Sequence, residues 1–307
     1  MDVLKNVSII FTSIFFESLP FLLLGALISS IIETYVSDET IEKYIPKNKI
    51  LGSIVGIFLG FFLPACDCAV IPISKRLVKK NVPINVAVSF MLASPIINPV
   101  VLFSTYTAFY NTNPEIFWYR LLFGILVSLI IGVIMGIAFN KKKVLNDNSS
   151  DCDHEHCHCH EKVHKHTFKN DFLSIIKHTS YDFFDVVKYL MFGAVIASLI
   201  QVLLPRDILM MFNDNQVLSI FVLMMFAYLI SLCSTSDSFI GKSLLSSFSK
   251  TSIIAYLLLG PMIDIKNTFV LLGNYKKSFV ATLITLIFII IFIFSLVVIH
   301  IWKDIWV

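Results

Sequence analysis

The chain has 307 residues, 57% of them hydrophobic and only 15% charged, a mean hydropathy of +0.82 and a formal net charge of +3. Soluble domains carry about 25% charged residues, so an ordinary soluble fold is excluded and a membrane-embedded chain is expected. The basic residues gather at the ends of apolar runs rather than along one stripe, which argues against nucleic acid as a partner.

A helix needs about 20 mostly apolar residues to cross a bilayer. Eight runs reach that length, near 7–32, 50–73, 83–109, 117–139, 184–204, 216–240, 251–273 and 279–302. The expected fold is all-α: a polytopic protein of about eight transmembrane helices, several of them long enough to tilt or break. The first run has no strongly basic start and no A-x-A-like cleavage site, and it contains Glu17. It is expected to be a retained span rather than a signal peptide.

Positive charge sets orientation. With eight spans, Lys75, Arg76, Lys79, Lys80, Lys141, Lys142, Lys143, Lys242, Lys250 and Lys303 fall on one side. That side is expected to be cytoplasmic, with both termini there, in a multi-pass protein of the cytoplasmic membrane. Lys43, Lys47, Lys49, Lys276 and Lys277 violate the rule in this arrangement.

An internal repeat runs through these spans. "PFLLLGALISSII" resembles "KYLMFGAVIASLI", "LPACDCAVIPISKRL" sits where "SLCSTSDSFIGKSLL" sits, and "MLASPIINPVVL" answers "LLLGPMIDIKNTFVLL", at a shift of about 166–168 residues. The chain thus divides into a first membrane repeat (1–140), a cytoplasmic His/Cys-rich linker (141–182) and a second membrane repeat (183–307). Four spans per half make the halves parallel rather than inverted. Within the linker, "DFLSIIKHTSYDFFDVV" reads as an interfacial amphipathic helix leading into the fifth span. Duplicated halves with helices interrupted at matching places are how secondary transporters look in sequence, and the interruptions point to the binding site.

The second span carries Cys66, Asp67 and Cys68 between Pro64 and Pro72. Cysteines at i and i+2 point about 200° apart on a regular helix, so both can meet one ligand only where the helix unwinds, and Pro64 supplies a cause. Two thiols and a carboxylate suit Cu(I), Zn(II) or a thiophilic trivalent metalloid. A cysteine alone is equally a small apolar packing residue, but a carboxylate inside a span marks a functional site by default. Cys233, Ser236 and Asp237 repeat the pattern in the sixth span. Ser94 and Asn98, among the prolines of "ASPIINP", answer Asp264 of "GPMIDIKN", where Lys266 could also neutralise Asp264 as a strut. Glu17 lies either in the cavity or near an interface.

The linker tract from Asp151 to His166 packs three cysteines, six histidines and four acids into sixteen residues. Cys152, His154, His156, Cys157, His158, Cys159, His160, His164 and His166 are its candidate metal ligands; that density binds Zn(II), Cu or Ni(II) almost regardless of fold. A bound metal ion is expected there, while no cofactor is required elsewhere. Walker A, GxSxG, HExxH and dinucleotide motifs are missing, so the chain is not expected to be an enzyme.

"PACDCAVIPISKRLVKKNVPINVAVSFMLASPIINPVVLFSTY", with "TSDSFI" and "GPMIDIKN" in the second half, resembles the predicted bacterial permease family that includes the organoarsenical efflux permeases of the ArsP type. The resemblance implies an eight-span permease exporting thiophilic cargo, in some relatives beside a small membrane partner. It carries over Cys66, Cys68, Ser94, Pro95, Asn98 and Pro99, and Ser236, Asp237, Pro261 and Asp264, as motif positions. Asp67 stands where many members have serine, and the His/Cys tract is not general to the family. Both departures favour a divalent or cuprous metal over an arsenical. The expected function is efflux of Zn, Cu or As species; the alternatives are efflux of trivalent organoarsenicals or another small organic cargo, a membrane thiol oxidoreductase, and a metal sensor.

Overall fold

The computed structural model describes residues 2–35, 46, 48–63, 66–139, 144–145, 168–203 and 215–305. Among these residues the chain is helical almost throughout, apart from one isolated bridge between Leu145 and Tyr275. The helices are α1 (Asp2–Tyr35), α2 (Lys49–Phe62), α3 (Asp67–Lys79), α4 (Ile84–Ile97), α5 (Pro99–Phe109) and α6 (Glu115–Ala138). After the linker follow α7 (Phe168–Leu203), α8 (Gln216–Ile230), α9 (Ser234–Leu244), α10 (Lys250–Met262), α11 (Ile265–Asn274) and α12 (Lys277–Ile305).

The eight apolar runs divide into two kinds. Six described stretches are long and apolar enough to cross a membrane: Val3–Ile32, Ile84–Phe109, Glu115–Ala138, His178–Leu203, Lys250–Asn274 and Lys277–His300. α2 and α8 have 14 and 15 residues. At 1.5 Å per residue they reach about 21–23 Å, short of the roughly 30 Å of hydrocarbon.

Packing contacts fix the direction of each helix. α2 runs parallel to α4, since Gly52 sits against Asn85 and Val86 while Gly60 sits against Ser94. α3 joins α4 through residues 80–83, and Ser74 meets Met91 at 3.7 Å, so α3 runs opposite to both α2 and α4. The α2–α3 pair is therefore a re-entrant hairpin. α8 and α9 repeat the design. Ser219 meets Ser252 at 3.1 Å and Gly260 lies beside Ala227, which makes α8 parallel to α10. Gly241 faces Ile253 and Leu257 while Asp237 meets Tyr256, which makes α9 antiparallel to α10.

The second set of helices runs opposite to the first. α3 is parallel to α11 through Asp67–Asn267, Ser74–Tyr275 and Lys75–Asn274 contacts. α1 and α7 are antiparallel, with Ser29 and Ser30 on Asp182 and Thr179 and with Ile14 on Ala194 and Ala197. α6 and α12 are antiparallel as well, pairing Phe123 with Phe294 and Phe139 with Phe279. The expected polytopic all-α fold is present; where about eight spans in parallel halves were expected, six described helices are long and apolar enough to cross a membrane, α2–α3 and α8–α9 form two shorter hairpins, and helices at matching places in the two parts of the chain run in opposite directions. Each half then holds three full spans, and an odd number reverses direction.

The correction also moves the charges and the chain ends. The face where α6 ends and α7 begins, called here the linker face, carries Lys49, Lys75, Arg76, Lys79, Lys80, Lys276 and Lys277. The far face carries Lys5, Lys242 and Lys250. Lys49, Lys276 and Lys277 are no longer exceptions. Asp2 and Ile305 lie on the far face, whereas eight crossings would have placed both ends beside the linker. The linker itself is pinned where it leaves α6, because Lys276 N–H donates to the Val144 carbonyl at 2.9 Å. α7 is one helix of 36 residues, so "DFLSIIKHTSYDFFDVV" is helical and runs without a break into the fifth apolar run.

The two broken spans form the core. In Ile84–Phe109 and Lys250–Asn274 the most apolar stretch is 78% and 83% buried, against 17–39% in the other four spans, which leave most of their surface for lipid. α4 breaks at Asn98, whose side chain accepts from Val100 N–H at 3.0 Å and restarts the chain as α5. α10 breaks at Asp264, whose Oδ1 accepts from Asn267 N–H at 2.6 Å and restarts it as α11. Pro72, Pro95 and Pro261 lie inside helices rather than at these breaks. Their freed carbonyls are tolerated because protein, not lipid, surrounds them.

Candidate functional site

The two hairpin tips meet the broken span α10–α11 inside the protein. At the first tip Cys66 is extended (φ −76°, ψ 169°) and caps α3, its carbonyl accepting from Ala69 and Val70 N–H. Asp67 and Cys68 begin the helix. With Cys66 outside the helical turn, the two thiols no longer point apart. The ligand atoms of Cys66, Asp67 and Cys68 all lie within 4.8 Å of one another. Two ligands of one ion at about 2.3 Å each stand up to about 4.6 Å apart, so a side-chain rotation closes the set on an ion. All three cysteines of the membrane region, Cys66, Cys68 and Cys233, are free thiols. Pro64 lies outside the described residues.

Asp67 is held by two donors from α11: Asn267 Nδ2 at 3.0 Å and Lys266 Nζ at 3.4 Å. Lys266 Nζ also stands 3.6 Å from Asp264 Oδ2. The Lys266 backbone is fixed from the second tip, where Ser231 Oγ accepts its N–H at 3.2 Å. Ser231 itself turns through the left-handed region (φ 54°, ψ 50°) and ends α8. The N-termini of α3, α9 and α11 all point into this junction, and their positive dipole ends favour carboxylates there.

A cavity of about 260 Å³ opens on this junction. Its floor holds Cys66, Asp67, Cys68, Ser231, Cys233 and Lys266, and its α1 wall mixes Glu17, Ser13 and Ser18 with the apolar Ile9, Ile10, Ile14 and Phe21. Glu17 therefore belongs to the cavity. A second hollow at Asn6, Ile9, Ile10, Gln201 and Val202 shares part of that wall and continues toward the far face. Toward the linker face the way is filled. Ser74 Oγ meets Tyr275 OH at 2.8 Å, and Lys75 donates to Asn274 at 3.0 Å and pairs with Asp185 at 3.5 Å. Arg76 clasps both oxygens of Asp182 at 3.0 and 2.7 Å. These contacts tie α3 to α7 and α11.

The remaining candidates lie elsewhere. Asp237 is buried in the packing of α9 on α10, bonded to Tyr256 at 3.0 Å, and does not line the cavity. Close by, the fully buried Arg120 donates to Thr105 and Ser238, both at 2.7 Å, and reaches the Ser234 carbonyl at 3.4 Å. Ser94 packs under Gly60, and Asn98 serves as the α5 cap. Ser236 is half-buried beside Asp237. Asp264 joins the junction through Lys266. The nine linker cysteines and histidines lie outside the described residues. Sequence reasoning gave Lys266 only as a strut and missed Ser231 and Arg120. A lysine and an arginine within apolar runs were the available signal; a serine that turns the backbone leaves none.

The chain matches the family described as "Predicted permease" (ArsP_1) over residues 3–300. It is 37% identical over 289 residues to the "Putative two-component membrane permease complex subunit" of Streptococcus mutans, covering 94% of this chain and 93% of that one. It is 43% identical over 290 residues to the UPF0718 protein YcgR of Bacillus subtilis, covering 94% and 95%. A shorter likeness, 29% over 135 residues, reaches the UPF0718 protein MJ0584 of Methanocaldococcus jannaschii, covering 42% and 36%. No solved structure matches the chain. By the family match over nearly its whole length and by relatives 37% and 43% identical over most of both chains, this chain belongs to the ArsP-type family of predicted permeases.

Proposed function

We propose that the chain exports a soft, thiophilic cation or metalloid species (Zn, Cu or As) across the cytoplasmic membrane by alternating access, with no catalytic centre. One observation carries this reading: two thiols and a carboxylate gathered within 4.8 Å at a helix break, in the wall of a cavity. The basic linker face is read as cytoplasmic, which puts both termini outside. The cavity then opens outward and the contacts of Ser74, Lys75 and Arg76 form the closed inner gate, the release state of an exporter. The matching element order of the two halves supports duplication with inversion, as in transporters whose sites sit at repeat interfaces.

The linker tract is proposed to collect metal on the cytoplasmic side through its cysteines and histidines. A second membrane subunit is proposed as partner, by analogy with the two-component relative. The test is a metal and metalloid sensitivity panel in a strain lacking the chain, complemented with wild type, Cys66→Ser or Cys68→Ser. Wild type should restore resistance and lower cell metal, and both variants should fail. Equal accumulation in all three would remove the thiol site. The apolar side chains of the α1 wall, Ile9, Ile10, Ile14 and Phe21, support a second reading, export of a small trivalent organoarsenical; resistance to methylated arsenic without any metal phenotype would select it.

A further inference from the structure

We propose that Lys266 is a tethered counter-cation, which holds the cargo site between loads and must leave Asp67 each time a cationic cargo enters. This rests on the cation-export reading and deepens it. The first observation is the geometry of the pair. Lys266 Nζ stands 3.4 Å from Asp67 and 3.6 Å from Asp264, both looser than the roughly 2.7–2.9 Å of a tight charge-assisted bond. The ammonium is shared between two carboxylates and locked to neither. Its stem is flexible enough to move between them, while its backbone is anchored by Ser231.

The second observation is an acceptor that holds Lys266 only loosely. Asp264 is fully buried, and its Oδ2 accepts no hydrogen bond, although Oδ1 is engaged by Asn267 N–H. A displaced ammonium has a place to go without crossing lipid or losing all its charge partners. Asp67, in contrast, keeps Asn267 as a donor on the Oδ2 that Lys266 would vacate. The third observation is charge. Glu17 and Asp67 in the cavity wall, with Asp264 behind, face the single ammonium of Lys266 among the described residues there. That balance is negative and accepts a cation.

Cargo binding and Lys266–Asp67 pairing thus exclude one another. Cargo joins Cys66, Asp67 and Cys68 as Lys266 shifts onto Asp264; the return of Lys266 to Asp67 expels the cargo. Selectivity follows, because a neutral species gains nothing from displacing the lysine. The lysine sets affinity and turnover in opposite senses.

The test titrates Cd(II) into the purified full chain and follows the cadmium–thiolate ultraviolet band. The signal is taken as the difference from a Cys66→Ser/Cys68→Ser chain, which cancels the linker's cysteines. Lys266→Met should tighten Cd(II) binding at least tenfold, and in proteoliposomes should lower both KM and kcat. Lys266→Arg should keep the wild-type balance. Lys266→Met with Asp264→Asn removes one charge of each sign and guards against misfolding; it should also bind more tightly than wild type. If wild type binds Cd(II) through the two cysteines and both lysine variants bind no more tightly, the counter-cation is wrong and the export site stands. If wild type shows no cysteine-dependent band, the export site falls and the counter-cation with it.

Discussion

The two hairpin tips are built alike and packed differently. Each reverses the chain inside the protein at a cysteine that caps a short helix, Cys66 before α3 and Cys233 before α9. The first tip exposes its polar groups to a cavity, with two thiols and a carboxylate side by side. The second buries its carboxylate, Asp237, against Tyr256 and surrounds Arg120 with hydroxyls. Breaking a helix in a membrane frees backbone groups and makes room for polar side chains. Whether that room becomes a site or a strut depends on what packs across from it. At the first tip α1 leaves a hollow, which Ser231 and Cys233 of the second tip also line; around Asp237, α10 and Arg120 of α6 pack close instead.

The largest effect on folding belongs at the second tip. Arg120→Met leaves buried hydroxyls and the Asp237 carboxylate without their cation, and should cost about 3–5 kcal/mol; a thermal melt in detergent should show it, and an unchanged melt would make the second tip a site in its own right. At the first tip the sign of the result reverses. Cys66→Ser and Cys68→Ser should cut export of thiophilic cargo at least tenfold while leaving the melt close to wild type. A comparable melt loss would make these thiols packing residues. Next comes the approach of α1 to the first hairpin. A Cβ at Gly25 would stand 2.7 Å from Ala69 Cβ, so Gly25→Val should destabilise by about 1–3 kcal/mol and narrow the cavity. A smaller stability effect is expected at the inner gate. Asp182→Asn weakens a partly exposed ion pair with Arg76, worth about 1 kcal/mol or less, yet it should raise labelling of a cysteine placed at Ser74 by a linker-side thiol reagent. Deleting residues 151–166 should have the least effect, lowering the rate at scarce metal and sparing transport at high metal; complete loss of transport would favour a sensor.

Much of the site was legible as chemistry but not as geometry. Cys66, Asp67 and Cys68 announced themselves because thiols flanking an acid are out of place in an apolar run; that the backbone leaves the helix at Cys66 itself is visible only in the structure. Asp264 was visible for the same reason, but its companions were not. Lys266 looked like a simple strut to one acid, because nothing in "GPMIDIKN" tells that Asp67, 199 positions earlier, will lie at its tip. Asp237 read as an equal partner of Asp67 from its repeat position, and Tyr256 and Arg120 set it apart.

By itself the sequence determined the class of the molecule and the composition of its breaks: apolar runs long enough for helices in lipid, breaks at matching places, and thiols and acids at those breaks. Only the tertiary structure decided which way the chain leaves each break. A run such as 50–73 has the same hydropathy whether it crosses the bilayer or turns back within it, because transfer free energy depends on the surface removed from water and not on chain direction. The direction is set by close packing instead, by Gly52 and Gly60 lying along α4 in parallel and Ser74 meeting Met91. That choice gathers Lys49, Lys276 and Lys277 on the linker face and brings Lys266 to Asp67.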